Sequence, residues 1–333
     1  MSSTSLPPLA DVLSTARVVA LPLAARFRGI ETREAVVFEG PEGWTEFSPF
    51  PEYDDAEAAT WLAGALDFGW RAAPVAVRDA IPVNATMPAV AASEVARILA
   101  RYDGCRTVKV KVAEAGQVLA DDVARVGAVR AAMGPEGRVR IDANGAWNVD
   151  EAERAVHALA EFDLEYVEQP CAAVEELAEL RERIAYLDIP IAADESVRKA
   201  ADPLLVARAG AADLLVVKAQ PLGGMHAALD IVAQAGLPAV VSSALDTSIG
   251  LAMGAALAAA LPQLDYDCGL GTAALFTADV VASPLVPRAG VLRVERPRPS
   301  AVDLDRVAAP DERRDWWLAR LRRCYRTLEL TRG

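Results

Sequence analysis

From about residue 80 onward, short apolar runs alternate with segments of helical period. The runs are "IPVNATM" (81–87), "RTVKVKV" (106–112), "RVRIDAN" (138–144), "LEYVEQP" (164–170), "PIAADES" (190–196), "LLVVKAQ" (214–220), "AVVSSAL" (239–245) and "LDYDCGL" (264–270). Between them lie stretches such as "EVARILARY", "VARVGAVRAAMG", "VEELAELRERIAY" and "MHAALDIVAQAG". Such alternation predicts βαβ units and a parallel sheet. Eight strands packed into so short a stretch predict a closed α/β barrel rather than an open sheet.

The flanks read differently. "REAVVFEGPEGWTEFSPFP" predicts an antiparallel hairpin turning at "GPEG". "DDAEAATWLAGALDFGW" predicts an amphipathic helix with Asp54 or Asp55 near its N-cap. After residue 283 a Pro- and Arg-rich stretch leads into the helix "DERRDWWLARLRRCYRTLEL". The expected organisation is an N-terminal α+β cap over 1–80, completed by 284–333, and a catalytic barrel over 81–283.

Polar residues punctuate the strand ends. Lys111, Asp142, Glu168, Asp194 and Lys218 follow one another at steps of 31, 26, 26 and 24 residues. Each step is about one βα unit, and each residue closes an apolar run. In a barrel such ends converge on one mouth, where these folds place their chemistry.

The cations change the picture further. Of 34 basic residues only four are Lys, at 109, 111, 199 and 218, and three of these lie inside apolar runs. Arg stays protonated, whereas a desolvated Lys shifts its pKa readily and can act as a base. For "VKVKV" alone, an edge strand with lysines facing water is the plain alternative. Only two histidines exist, His157 and His226, both in helical stretches, so packing or surface roles are expected for them. That removes Ser-His-Asp, Cys-His and His-rich metal chemistry, and acid–base work falls to Lys, Asp or Glu.

The 333 residues are 53% hydrophobic and 24% charged, with a net charge of −13. This excess of acid argues against nucleic acid or anionic membranes as partners. No apolar run reaches membrane-spanning length, and the N-terminus lacks a secretory pattern, so a cytoplasmic enzyme is expected. The four cysteines are far apart and form no CxxC, which argues against zinc or a disulfide framework.

Asp142, Glu168 and Asp194 at one mouth would repel one another without a cation between them. Taken singly, each could simply cap the next helix. Together, an oxygen-only set selects a hard divalent ion, Mg²⁺ first and Mn²⁺ as a substitute. Alternation puts Arg138, Arg140, Asp142 and Asn144 on one face of their strand, and Lys109 and Lys111 together on one face of theirs. Asn144 is expected to orient a metal ligand or its water.

The order KxK, "DANGAW", "VEQP", "ADES", "VVKAQPLGG" strongly resembles the enolase superfamily, in its muconate-lactonizing subgroup, over nearly the whole chain. The resemblance implies a modified (β/α)₇β TIM-type barrel with an α+β capping domain. It implies metal ligation by Asp142, Glu168 and Asp194, and catalysis by Lys111 and Lys218 on opposite sides of the site. The histidine base of the mandelate-racemase subgroup has no counterpart. "FRGIETREAVVFEG", "SSALDTSIGLAMGAALAAALP" and "CGLGTAALFTADVV" are similar to the o-succinylbenzoate synthase family of actinobacterial type. That likeness implies a dehydration in menaquinone biosynthesis acting on a small dicarboxylate.

The expected substrate contacts are Lys109, Arg140, Asn144, Ser242, Ser243, Arg28, Gly269 and Gly271. The segment around Phe27, Arg28 and Gly29, with Arg26 and Arg33 nearby, is expected to close over the mouth as a loop. Other readings stay open. "DYD" (Asp265, Asp267) is similar to the paired aspartates of dipeptide epimerases, and two opposed lysines also suit an N-acylamino acid racemase. "GLGTAA" matches a dinucleotide-binding pattern, though it follows the last strand rather than the first. A non-catalytic metal-binding scaffold is the third. A monomer is the working expectation, and the oligomeric state is not read from the sequence.

Overall fold

The computed structural model describes residues 6–199 and 201–332. The chain opens with α1 (Leu9–Thr15), then three antiparallel strands, β1 (Arg17–Phe27), β2 (Ile30–Gly40) and β3 (Gly43–Phe47), in the order β1-β2-β3. The turn at 40–43 was legible as a hairpin; the strand preceding it was not. Its "RVVALPLAARF" is interrupted by Pro22 and lacks clean alternation. The 27–30 segment is therefore not a loop but the tip of a hairpin. Phe27 faces Ile30 across Arg28 and Gly29, which take φ of 49° and 78°, a primed two-residue turn.

α2 (Asp55–Trp70) follows, capped by Asp54, whose side chain accepts from the Glu57 N–H at 2.8 Å. β4 (Ala80–Pro82) then leads into the barrel. Among the described residues, seven strands pair in parallel: β5 (Ala85–Met87), β6 (Thr107–Lys111), β7 (Arg138–Asp142), β8 (Leu164–Glu168), β9 (Ile191–Ala193), β10 (Leu214–Val217) and β11 (Ala239–Val241). The helices between them are α3 (Val95–Leu99), α4 (Leu119–Met133), α5 (Val149–Leu159), α6 (Val174–Arg183), α7 (Glu195–Arg198), α8 (Leu205–Arg208) and α9 (Met225–Ala235), with α10 (Ser248–Ala260) after β11. The run 81–87 splits: β4 pairs antiparallel with β12 (Val291–Arg293), and only β5 joins the barrel.

The eighth run, 264–270, forms no regular strand. Two single bridges, Ser242–Gly269 and Val83–Cys268, stand in its place. Cys268 N–H donates to Pro82 O at 2.8 Å and Gly269 N–H to Val241 O at 2.8 Å, so these few residues still join the two open edges. α11 (Ala301–Arg306) and α12 (Asp311–Arg332) complete the chain. α12 packs Trp317, Leu321 and Cys324 into the core under β2, β3 and α2, and Arg323 pairs with Asp55 at 2.6 Å. No helix among the described residues is long and apolar enough to cross a membrane.

Pleating divides the strand residues between two environments. Val108, Val110, Val139, Ile141, Val167, Leu215, Val217 and Val241 join the large core beneath the helices. The other parity points into the barrel. There Tyr166, Ala192, Leu214, Val216 and Val240 form a small separate cluster, with the charged strand ends above them.

The cap meets the barrel across a polar seam. Glu46 of β3 is buried and accepts from Thr247 N–H at 3.1 Å, Gly250 N–H at 3.0 Å and Ser48 Oγ at 2.6 Å. It thereby caps the start of α10 from the other domain. Gln220 Nε2 donates to Asp246 Oδ1 at 3.2 Å, and its Oε1 accepts from Ser48 N–H at 3.2 Å. Arg33 is buried, donating from Nε to Leu245 O at 3.1 Å and also to the carbonyls of Ala244 and Ser48. It is therefore part of this seam and not a free charge at the mouth. α2 crosses the barrel at Gly64, where an added Cβ would stand 2.8 Å from Gln220 O and 2.9 Å from Gln220 Cα.

Gly64→Ala must push two backbones apart. We expect it to lower stability by about 1–3 kcal/mol, read as a fall in Tm; an unchanged melting curve would refute the close crossing. The seam also sets a pH dependence. Burial, reinforced by Glu46, pushes the Asp246 carboxyl up to about 7. Its protonated form is favoured on folding, so its contribution is full below an unfolded value of about 4 and lost as pH rises through about 7. Asp246→Asn should accordingly gain Tm relative to the parent at pH 8 compared with pH 5. An equal difference at both pH values counts against this.

Candidate active site

The inward-facing ends of β6 to β10 converge on one pocket. Lys109, Lys111, Asp142, Asn144 and Lys218 line it, with Thr86, Ser242, Ser243, Gly269 and Thr272 along one side and Phe27, Arg28 and Phe50 of the cap above. Asp142 Oδ2 accepts from Lys109 Nζ at 2.9 Å and from Lys111 Nζ at 2.5 Å. Lys109 also reaches Glu168 Oε1 at 2.7 Å, and Lys111 reaches Asn144 Oδ1 at 2.7 Å. Lys218 donates to Asp194 Oδ2, whose other oxygen accepts from Arg198 Nε at 3.0 Å. Asp142, Glu168 and Asp194 are fully buried, and the three lysines are each less than a tenth exposed. The opposing charges are thus held apart from water, where they interact strongly.

The two β6 lysines have opposite fates. Burial works against the charge on both. For Lys109 the attraction of Asp142 and Glu168 outweighs it and holds the pKa well above the ordinary lysine value. For Lys111 burial wins over Asp142, and the neighbouring Lys109 cation lowers its pKa further. Asp142, despite burial, is held well below the usual carboxylate range by Lys109 and Lys111. Glu168 is pushed up to about 7 by burial, with Asp142 next to it adding to the rise.

The acidic set suits a hard cation. Glu168 Oε2 is buried and has no hydrogen-bond partner, a costly state for a carboxylate oxygen and one that a cation would relieve. As they stand, no three His, Cys, Asp or Glu side chains among the described residues are grouped to hold a metal ion; the ammonium groups of Lys109 and Lys218 lie against the same oxygens. All three carboxylates offer only hard oxygen donors, which favour Mg²⁺-like ions over softer ones.

Two of the expected contacts lie elsewhere. Arg140 has the inward parity but sits two residues deeper. Its guanidinium donates to Glu165 at 2.8 Å, to Tyr166 Oη at 2.9 Å and to Asp267 O at 2.8 Å, filling the barrel interior below the pocket. Gly271 is buried against Asn84 O and Tyr102, where an added Cβ would collide with the former at 2.8 Å. Gly269 does border the pocket, and a Cβ there would strike Ser242.

The alternative motifs are also placed. Asp267 accepts from Thr107 Oγ1 and Arg138 Nη2, both at 2.7 Å. Thr107 and Arg138 are the first residues of their strands, so this carboxylate lies at the far end of the barrel from the lysines. "GLGTAA" enters a short 3₁₀ turn (Gly271–Leu275) and opens no α-helix on which a pyrophosphate could sit. His157 bonds to Tyr186 on the outside, and His226 contacts Asp67 at 3.1 Å between α9 and α2.

The braces went unread. Gln169, in the left-handed region at φ 39°, accepts from the N–H groups of Asp194 at 2.9 Å and Ser196 at 3.1 Å, holding the β9 end beside the β8 end. Arg198 is four residues past Asp194, a spacing that places it back over that carboxylate on α7. Phe27 sets its ring 5.6 Å from Lys111 Nζ, and Arg28 stacks 4.4 Å over Phe50. Phe27 and Arg28 were named in the sequence, whereas Phe50 was not, because no periodicity marks a residue that acts across domains.

Comparison with known proteins accords with this geometry. Residues 91–300 match the Enolase C-terminal domain-like family and residues 18–69 the Enolase N-terminal domain-like family. The chain is 55% identical over 324 residues to an o-succinylbenzoate synthase of Mycobacterium tuberculosis, covering 97% of each chain. It is likewise 55% identical to that of Mycolicibacterium smegmatis, covering 97% of this chain and 99% of the relative. The muconate lactonizing enzyme of Pseudomonas fluorescens superposes with a TM-score of 0.74 at 22% identity, over 89% of this chain and 98% of that one, a likeness of fold. Enolase superfamily members use a divalent metal ion. The chain, with both enolase-like domains matched and more than half its residues shared with these mycobacterial relatives, belongs to the o-succinylbenzoate synthase family of the enolase superfamily.

Proposed function

We propose that this protein dehydrates 2-succinyl-6-hydroxy-2,4-cyclohexadiene-1-carboxylate to o-succinylbenzoate, a step of menaquinone biosynthesis, in the cytoplasm and as a monomer. The observation that carries the reading is the burial of Lys111 and Lys218 in one pocket beside three buried carboxylates. The proton to be removed lies next to a carboxylate, so the intermediate is a doubly negative enediolate. A divalent cation held by Asp142, Glu168 and Asp194, Mg²⁺ with Mn²⁺ as a substitute, would supply electrostatic stabilisation of that charge.

This chain's residues would do the rest. Lys111, with its pKa lowered by burial, takes the proton as a neutral amine. The resulting ammonium returns a proton to the hydroxyl leaving from the neighbouring carbon on the same face. The C–H and C–O bonds break, the ring becomes aromatic and water departs. Lys218, paired with Asp194 across the pocket from Lys111, faces the developing negative charge. Ser242, Ser243 and Gly269 bound a small, polar end of the pocket that suits a carboxylate. Arg28 at the hairpin tip adds local positive charge to a protein of net charge −13, which a dicarboxylate requires.

A second reading, racemisation of N-acylamino acids, is favoured only by the presence of both lysines in the pocket. The far-end position of Asp267 disfavours dipeptide substrates. Turnover of purified protein with Mg²⁺ on the cyclohexadiene carboxylate, N-succinyl and N-acetyl amino acids, and dipeptides separates these. Activity confined to the amino acid derivatives refutes the dehydratase.

Lys111→Ala removes base and acid together and should lower kcat at least about 10³-fold; activity within about tenfold of the parent excludes it as the base. Lys218→Arg keeps a cation of the wrong shape and should lose most activity while still binding product, as seen by titration calorimetry. Arg28→Ala should raise KM by about 10- to 100-fold, the loss of one charge-assisted contact, and leave the cation affinity as it was. An unchanged KM rules out contact between the hairpin tip and the substrate.

A further inference from the structure

Lys111 is the last residue of β6, and its amine is only as well placed as its backbone. Val112 N–H donates to Asp142 O at 3.1 Å on the β7 side. Alternation along the strand turns the Lys111 carbonyl the other way, toward β5. There the neighbouring strand has ended at Met87, and no β5 ladder bond continues beside Lys111. The carbonyl is taken instead by Arg125 of α4, whose Nε donates to it at 3.1 Å. Nη1 of the same guanidinium donates to Val90 O at 2.9 Å, in the segment that follows β5. One side chain thus serves the carbonyl at the end of β6 and one in the segment just past β5.

Asp122, one turn earlier on α4, holds the next step of the chain. It accepts from the Ala113 N–H at 3.0 Å and pairs with Arg125 at 2.5 Å. Ala113 has φ of 59°, a left-handed conformation that is costly for a residue with a Cβ and persists only where its surroundings impose it. Arg125 and Asp122 are 1% and 2% exposed. Neither reaches the pocket. A buried ion pair is weak evidence for stability in itself, so its place against the exit from β6 calls for another account.

We propose that Arg125 and Asp122 are positioning residues for Lys111. They clamp the backbone from Lys111 to Ala113 so that the amine meets the substrate carbon at the right distance and angle. This rests on the assignment of Lys111 as the base. The pair contacts neither substrate nor the acidic set, so its loss should fall on kcat rather than on KM.

The test compares Arg125→Met/Asp122→Asn, which leaves no buried charge unpaired, with Arg125→Lys and with Lys111→Ala. In the folded double variant kcat should fall on the order of 10- to 100-fold, as for a misplacement of up to an ångström, with KM held within about threefold. Arg125→Lys retains a cation but carries all its donors on one nitrogen, and should recover part of that loss. A folded double variant with kcat within about twofold of the parent, or with the loss confined to KM, overturns the proposal. If the double variant does not fold, Arg125→Lys decides alone, since one nitrogen cannot stand where both Nε and Nη1 do: a reduced kcat at constant KM supports the clamp and an unchanged kcat refutes it. Turnover retained by Lys111→Ala would show that the base assignment itself had failed, and the clamp with it.

Discussion

Everything at the barrel mouth depends on balancing charge away from water. Asp142, Glu168, Asp194 and Glu195 stand against Lys109, Lys111, Lys218 and Arg198, equal numbers of each sign at adjacent strand ends and on the short α7 that follows β9. Removing either sign alone would leave buried charge uncompensated, at a cost of several kcal/mol per ion. A divalent cation and a dicarboxylate can enter together without disturbing the sum. The same balance explains why the two β6 lysines, two residues apart, are tuned in opposite directions: one is locked between two carboxylates, and the other shares a single one with it.

The barrel alone does not finish this site. Its interior carries charge below the lysines, with Arg140 linked to Tyr166 and Glu165, and the wall at 242–247 is carried by a segment with no regular strand after it. The cap supplies what is missing there. Glu46 and Arg33 reach across to Thr247, Gly250, Ala244 and Leu245, so the shape of the pocket wall is an interdomain property. Leu245 itself takes φ of 62°, a conformation held from outside the barrel.

Much of this was legible in the sequence, for a definite reason. Strand-end polar residues at a βα spacing are a one-dimensional trace of a three-dimensional ring, and parity along "VKVKV" and "RVRID" identifies the inward face. Parity does not identify depth, which is why Arg140 was grouped with Asp142 although it fills a lower layer. Nor does it tell a strand from a few residues that make the same bonds, as at Cys268 and Gly269. Gly271 was read as a contact because small residues suit a ligand, whereas packing against Asn84 requires it to be small. Arg125, Asp122 and Gln169 escaped notice because their partners are backbone atoms of distant residues, and backbone leaves no compositional mark. β1 was missed because Pro22 and the adjacent Ala24 and Ala25 blur its alternation.

The near-replacement of Lys by Arg on the outside has a practical corollary. Of the four ε-amino groups, those of Lys109, Lys111 and Lys218 are enclosed among carboxylates. Lys199 stands outside, with its side chain 38% exposed near Glu57 and the Tyr53 ring. An acylating reagent or an amine-reactive support would therefore meet a single accessible lysine. The fold that isolates its reactive amines also leaves the enzyme with one natural handle for oriented attachment.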